Sequence, residues 1–411
     1  MYFGSLVIVF IVCLGTTMVL VPVVRRVSMW RGWTDEPDAM RKIHSTPIPN
    51  TGGLAIVGGV IAGLFVFALF QWLLPSSASY PIVLSSPVIL FGAVIIAGVG
   101  FLDDMYDLHF RQKLLAQFGV TALVIAGGVR IGLLDDMLGG GPLAMAVSYA
   151  MTALWVVGTM NAVNFLDGMD GLAAGVVGII MIGLAGVYLI GGRIADLVVS
   201  VALVGALLGF LRYNFYPAKI FMGDSGSLFL GYLLAVFALK GRAHDVPVLA
   251  LVIPVVAMGL PILDTGTSIM RRLIDGKPLF SADQDHIHHR LAEKLSHRNT
   301  VLALYGVGLF FASGAMLMAA VSPRMAVTIL LAGTAVVALF LYSLGYLSRT
   351  REHQAVLPSA SSGDGATGDL AIAATTVHEN AAVRDPRRSR ANDRTGSREV
   401  EKLSPRTAPR R

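Results

Sequence analysis

The chain has 411 residues, of which 55% are hydrophobic and only 14% charged, with a mean hydropathy of +0.69 and a formal net charge of +6. Soluble globular domains carry about 25% charged residues, so the composition excludes one and indicates an all-α integral membrane protein. The single cysteine, Cys13, excludes an internal disulfide and any cysteine-based metal site.

Apolar runs of about 20 residues read as membrane helices. About eleven occur, near 3–24, 52–74, 82–102, 114–132, 143–163, 172–191, 195–212, 226–240, 246–268, 299–321 and 325–347. The weakest are 114–132, which contains Arg130, and the short 226–240. The first run lacks a basic leader and is followed by Arg25 and Arg26, so it reads as an uncleaved helix rather than a signal peptide. Lys and Arg set the sides. Loops 25–51, 102–113, 161–171, 212–225 and 271–298 together hold 15, whereas the opposite loops hold five. The first set is therefore expected in the cytoplasm, with the amino terminus outside and the carboxyl terminus inside.

Beyond residue 348 the composition changes to Ser, Ala, Gly, Arg and Asp, with 12 of the 32 Lys and Arg. Such a segment buries too little apolar surface to fold. The chain is read as a polytopic membrane domain, 1–348, and a disordered basic cytoplasmic tail, 349–411.

The polar residues gather on one side. FLDDMYDL holds Asp103, Asp104 and Asp107 at the end of the third run. NAVNFLDGMDGLAAG holds Asn161, Asn164, Asp167 and Asp170 at the end of the fifth. Asp224, in FMGDSGS, precedes the eighth. DQDHIHHR, with His286, His288, His289 and Arg290, follows the ninth, and RKIHSTPIPNTGG, with Lys42, precedes the second. Each cluster alone has an ordinary reading as a helix cap, a turn or a solvated face. Five on one side do not, because crowded carboxylates repel unless a cation or catalysis needs them. Asp and Asn oxygens suit Mg²⁺, with Mn²⁺ as a substitute, and phosphate completes such a shell. No HExxH or Walker pattern occurs, and no GxGxxG follows a strand. Phosphoryl transfer at the membrane surface, without an ATP-binding fold and with no nucleic-acid partner, is the chemistry expected.

At this point the sequence resembles the polyprenyl-phosphate N-acetylhexosamine-1-phosphate transferases. RKIHSTPIPNTGG, FLDDMYDL, NAVNFLDGMDGLAAG, RYNFYPAKIFMGDSGSLFLG and DQDHIHHRL occur in the family's order, over roughly residues 40–295. The resemblance implies that a UDP-amino sugar gives its sugar-1-phosphate to undecaprenyl or another polyprenyl phosphate, releasing UMP, at the cytoplasmic face of a bacterial inner membrane. DDMYD, with Asp107, and HIHHR resemble the teichoic-acid and O-antigen branch, which implies UDP-GlcNAc as donor. Fucosamine, quinovosamine and muramoyl-pentapeptide donors are the alternatives, and a homodimer is implied only by analogy.

By matching position, Asp224 is implied as the Mg²⁺ ligand, supported by Asn164. Asp103, Asp104 and Asp167 are implied as the catalytic acids, with Asp103 positioning or deprotonating the lipid phosphate. Lys42, Asn161, Asp170, Asn214 and Phe221 are implied to contact the nucleotide part of the donor. His286, His288, His289 and Arg290 are implied to read the sugar and its phosphates. Direct displacement is favoured over a covalent intermediate on Asp224. Two rivals remain, a transporter of a phosphorylated solute and an inactive scaffold. The transporter calls for polar groups near the midplane, whereas these spans read as nearly uncharged. The scaffold calls for lost acids.

Overall fold

The computed structural model describes residues 2–35, 47–73, 87–132, 139–240, 246–276 and 286–343. Lys42 and the expected tail, 349–411, lie outside the described residues. The described chain is helical apart from two short strands. In order it forms α1 (Tyr2–Arg31), β1 (Thr34–Asp35), β2 (Ile48–Pro49), α2 (Gly53–Leu73), α3 (Pro87–Tyr106), α4 (Phe110–Ala126), α5 (Pro142–Leu166) and α6 (Leu172–Ile190). Then follow α7 (Ile194–Asn214), α8 (Gly223–Lys240), α9 (Pro247–Ala257), α10 (Gly259–Ile274), α11 (Ile287–Ala292), α12 (His297–Ala320) and α13 (Pro323–Ser343). The strands pair antiparallel, Thr34 opposite Pro49 and Asp35 opposite Ile48.

Eight described helices are long and apolar enough to cross a membrane, and nine segments qualify if the bent pair α9–α10 counts as one. Each of the eleven expected runs has a helical counterpart, but three depart from expectation. The run 114–132 becomes the 17-residue α4, which stops at Ala126 before Gly127 and Gly128 and leaves Arg130 beyond the helix. The run 226–240 becomes the 18-residue α8, which opens with Asp224 and closes with Lys240. The run 246–268 is not one rod: it bends by 82° between α9 and α10. Pro254 and Pro261 each remove a backbone donor from that stretch, and Met258 and Gly259 absorb the turn. The expectation of nearly uncharged spans also fails at two residues, Asp196 in α7 and Asp264 in α10, both buried.

The core is centred on α8. Every residue from Ser225 to Ala238 is buried, because α8 packs against α2, α3 and α5. The glycines make the approach close. A Cβ on Gly53 would strike the Gly226 backbone, so α2 and α8 meet main chain to main chain, a packing that small residues permit between membrane helices. In contrast, α13 packs mainly on α12 and is almost wholly exposed, as a lipid-facing helix is. Consequently the most buried helix of the bundle is the one that carries Asp224 at its tip.

Candidate active site

Four segments meet at one end of the bundle: the ends of α3 and α5 and the starts of α4 and α8. Gly223, the first residue of α8, has φ of +70°. A Cβ there would collide with the Asn50 carbonyl and lie 2.6 Å from an Asp104 carboxylate oxygen. Glycine is thus required both for the backbone sign and for the space. Asp104 caps α8 from outside it, accepting the Asp224 N–H at 2.8 Å on Oδ1 and the Ser225 N–H at 3.1 Å on Oδ2. Two of the unpaired donors of a buried helix start are satisfied in this way.

Asp103 and Asp224 share one cation. Lys113, on the first turn of α4, places Nζ 2.8 Å from Asp103 Oδ2 and 3.2 Å from Asp224 Oδ2. The Leu108 N–H donates to the other Asp103 oxygen at 2.8 Å. Asp167 is the C-cap residue of α5. Its carboxyl is held well above the usual carboxylate range, chiefly by burial and then by the negative charges of Asp224 and Asp104, with a hydrogen bond from the Gly223 backbone opposing. Among the described residues, four carboxyl groups thus gather here, and Lys113 pairs with two of them, Asp103 and Asp224. That imbalance, with oxygen donors only, fits a divalent cation, and the Lys113 ammonium occupies the kind of position a cation would take.

The loop after α5 is fastened to the segment between α7 and α8. Asp170 Oδ2 accepts the Ala218 N–H at 2.9 Å. Asn214 is buried, and its Oδ1 accepts the Gly171 N–H at 3.0 Å while its Nδ2 donates to the Ile220 carbonyl at 3.0 Å. Both backbone polar groups of Gly171 are thus committed, since the Tyr305 hydroxyl donates to the Gly171 carbonyl at 2.6 Å. Phe221 extends the strand pairing, donating its N–H to Pro49 O at 2.7 Å and accepting the Gly52 N–H at 2.9 Å. Its half-buried ring belongs to the residue directly after buried Ile220, whose carbonyl Asn214 holds.

The remaining expected residues divide. Asn164 lies on the last turn of α5, three residues before Asp167 and half-buried. Asn161 is turned elsewhere: its Nδ2 donates to Gln117 Oε1 and to the Val157 carbonyl, both at 2.8 Å, which ties α5 to α4. His286 and His288 are buried, while His289 and Arg290 are half-buried on the short α11. The His286 ring lies 5.7 Å from Phe165, centroid to centroid, so the histidine segment adjoins the end of α5.

Two residues of this region were not expected from the sequence. Lys113 entered only as one of the basic loop residues that set orientation, although it follows the Asp103–Asp104 pair by a single helical start. Asp264 lay inside an apolar run, where an ionisable residue is itself a signal.

Comparison with known proteins places the chain. The family model described as glycosyl transferase family 4 matches residues 86–242. A probable undecaprenyl-phosphate N-acetylglucosaminyl 1-phosphate transferase from Bacillus subtilis is 38% identical over 319 residues, covering 76% of this chain and 85% of that protein. The chain belongs to glycosyl transferase family 4. A decaprenyl-phosphate N-acetylglucosaminephosphotransferase from Mycobacterium tuberculosis is 35% identical over 288 residues, 64% of this chain and 70% of that one. A phospho-N-acetylmuramoyl-pentapeptide-transferase from Streptococcus thermophilus is 30% identical over 268 residues, 62% of this chain and 77% of that one. The stretch matched to glycosyl transferase family 4 contains Asp103, Asp104, Lys113, Asp167 and Asp224, whereas Asp264 and the histidines lie beyond it.

Proposed function

We propose that the protein transfers GlcNAc-1-phosphate from UDP-GlcNAc to undecaprenyl or another polyprenyl phosphate, giving polyprenyl-diphosphate-GlcNAc and UMP. The observation that carries the reading is the cluster of Asp103, Asp104, Asp167 and Asp224, in which Asp103 and Asp224 share the Lys113 ammonium. The relatives' names supply the substrate class, and the cluster supplies a place for its charge. With α4, α8 and the α9–α10 pair read as crossings the spans number eleven, and the Lys and Arg of the loops favour the cytoplasm of a bacterial inner membrane for this end of the bundle.

Asp224 and Asn164 would hold Mg²⁺, or Mn²⁺ in its place. When bound, the ion supplies positive charge against the donor diphosphate and the leaving UMP. The chain's own residues do the rest. Asp103, fixed by Lys113 and the Leu108 N–H, positions the lipid phosphate. That phosphate is mostly ionised at neutral pH, its second pKa being about 6, so little proton removal is needed. One of its oxygens attacks the sugar-linked phosphorus, the bond from that phosphorus to the bridging oxygen breaks, and UMP leaves with the bridging oxygen. Asp104 works through structure, holding Asp224 at the α8 start. The histidine segment contacts the sugar and its phosphate, and Asp170, Asn214 and Phe221 shape the nucleotide side.

The test is UMP release by detergent-purified protein with undecaprenyl phosphate and MgCl₂, each UDP-sugar offered separately, with and without EDTA. Release with UDP-GlcNAc that EDTA abolishes is expected. Release only with another UDP-sugar would move the specificity, and no release with any donor from folded protein would overturn the reading.

A further inference from the structure

Asp264 is 2% exposed in a stretch that otherwise reads as a membrane span. Removing a carboxylate from water costs several kcal/mol unless it is paired and hydrogen-bonded. Here both oxygens are used, and both are used on the histidine motif. Oδ1 accepts the Ile287 N–H at 2.7 Å, and Oδ2 lies 2.9 Å from His286 Nδ1. Ile287 is the first residue of α11, and the N-cap residue His286 makes no side-chain cap hydrogen bond. Asp264 therefore caps a six-residue helix from a different element. Such a helix is too short to stand alone.

The 82° bend between α9 and α10 belongs to this arrangement. Asp264 lies six residues after the break, on the arm that packs against α5 and α12. Held there, the histidine segment reaches the acidic loop: a Cβ on Gly168 would lie 3.3 Å from His288 Nε2, and Gly168 is next to Asp167. His288 Nδ1 is buried, 3.7 Å from Asp264 Oδ2 and without a hydrogen-bond partner.

Two assignments compete for this trio. Asp264, His286 and His288 each offer a ligand atom within 4.8 Å of the others, which a transition metal could use. Yet ligand atoms about 2.0–2.1 Å from a tetrahedral ion stand roughly 3.3 Å apart, and the Asp264–His286 separation is 2.9 Å. That is the length of a hydrogen bond with a proton between the atoms. His286 then carries its proton on Nδ1, and Nε2 is its remaining polar atom. A carboxylate that fixes an imidazole's tautomer in this way also fixes its orientation.

We propose that Asp264 is a positioning residue: it hooks His286 and the start of α11 onto the broken span, setting the Nδ1–H tautomer of His286 and seating the histidine motif against the acidic loop. This rests on the reading of His286 as a substrate contact. Asp264→Asn separates tautomer from anchoring. The amide oxygen still accepts the Ile287 N–H, while the amide nitrogen now faces His286 Nδ1 and forces the proton to Nε2.

The experiment is a double-mutant cycle of Asp264→Asn and His286→Ala, read as kcat and KM for UDP-GlcNAc by UMP release from the full-length protein. Each single variant is expected to lose about ten- to hundredfold in kcat/KM, and the double variant to lose no more than His286→Ala alone. Wild-type turnover in Asp264→Asn, or multiplicative losses in the double variant, would overturn the proposal alone. Wild-type turnover in His286→Ala would overturn it together with the substrate role of His286. If Asp264→Asn fails to fold, ¹⁵N-histidine spectra of the wild-type protein decide. The line that disappears in His286→Gln must report a proton on Nδ1, and a bare Nδ1 would overturn the proposal. Stoichiometric Zn²⁺ binding that His288→Ala abolishes would also overturn it, in favour of a metal site.

Discussion

The two ends of α8 balance charge in opposite ways. At its start four acids gather, Asp103, Asp104, Asp167 and Asp224, and among the described residues Lys113 pairs with two of them, Asp103 and Asp224. At its end, a single buried carboxylate is held by two cations: Arg193 Nε lies 2.8 Å from Asp196 Oδ2, and Lys240 Nζ lies 3.0 Å from Asp196 Oδ1. The acids at the start are half-buried and Asp196 is buried. The difference, among the described residues, is that the far end sets two cations against one acid, whereas the near end sets Lys113 against a cluster of four. The far cluster fastens α7 to α8, and the near one calls for a cation from outside. The proposed metal and diphosphate sites rest on this crowding of acids more than on polarity alone.

The largest effect expected from breaking this contrast is at Asp224. Asp224→Asn should lower kcat by about 10²–10³-fold or more, while melting in detergent without added metal stays near wild type. UMP release and a thermal melt on the same preparation check this. Lys113→Met comes next. Turnover should fall about ten- to hundredfold, and Asp103 and Asp224 should lose the ammonium they share. Added Mg²⁺ should then raise the melting temperature of Lys113→Met by more than it raises that of the wild type.

Acidity tests the same crowding. Because the Asp167 carboxyl is held well above the usual range, it keeps its proton to higher pH than an ordinary aspartate. Burial and the neighbouring Asp103 also raise the carboxyl of Asp224, to about 6, so apparent Mg²⁺ affinity should fall as pH is lowered through 6, with proton release on binding measurable in buffers of different ionisation enthalpy. At the far end the sign of the consequences changes. Asp196→Asn should cost roughly 1–3 kcal/mol of stability, below the 3–5 of a fully buried pair because Arg193 and Lys240 are partly exposed, and turnover per folded molecule should stay within about twofold. Asn161→Ala should do least to turnover, since its amide is spent on Gln117 and Val157. A stability loss of about 1 kcal/mol, read by chemical or thermal melting, is expected there.

The residues that were legible in the sequence announce themselves by composition. Asp103, Asp104, Asp167 and Asp224 interrupt apolar runs at their ends, and the glycines beside them mark tight backbone. Gly223 in MGDSG is the clearest, its positive φ and its contact with Asp104 both excluding a side chain. Less legible was what each polar atom does. Asn214 and Asn161 look alike as amides near helix ends. One fastens two loops by backbone hydrogen bonds and the other clamps two helices, and only the tertiary packing separates them. Lys113 was hidden because a lysine in a loop after a span is the ordinary signal for orientation. Asp264 was hidden by its apolar neighbours, and the bend that gives it a purpose comes from Pro254, Pro261 and Gly259 acting together. Hydropathy also ranks α8 poorly as a span, because the acid and glycines that make its tip useful lower its apolar content.

Divalent-cation binding itself is the most direct test. Mn²⁺ titrated into the purified protein, with the free ion counted by electron paramagnetic resonance, should show one tight site in the wild type. That site should persist in Asp196→Asn and vanish in Asp224→Asn. Retention of the tight site in folded Asp224→Asn would contradict the account, because the crowded acids at the start of α8 would then not be what binds the ion.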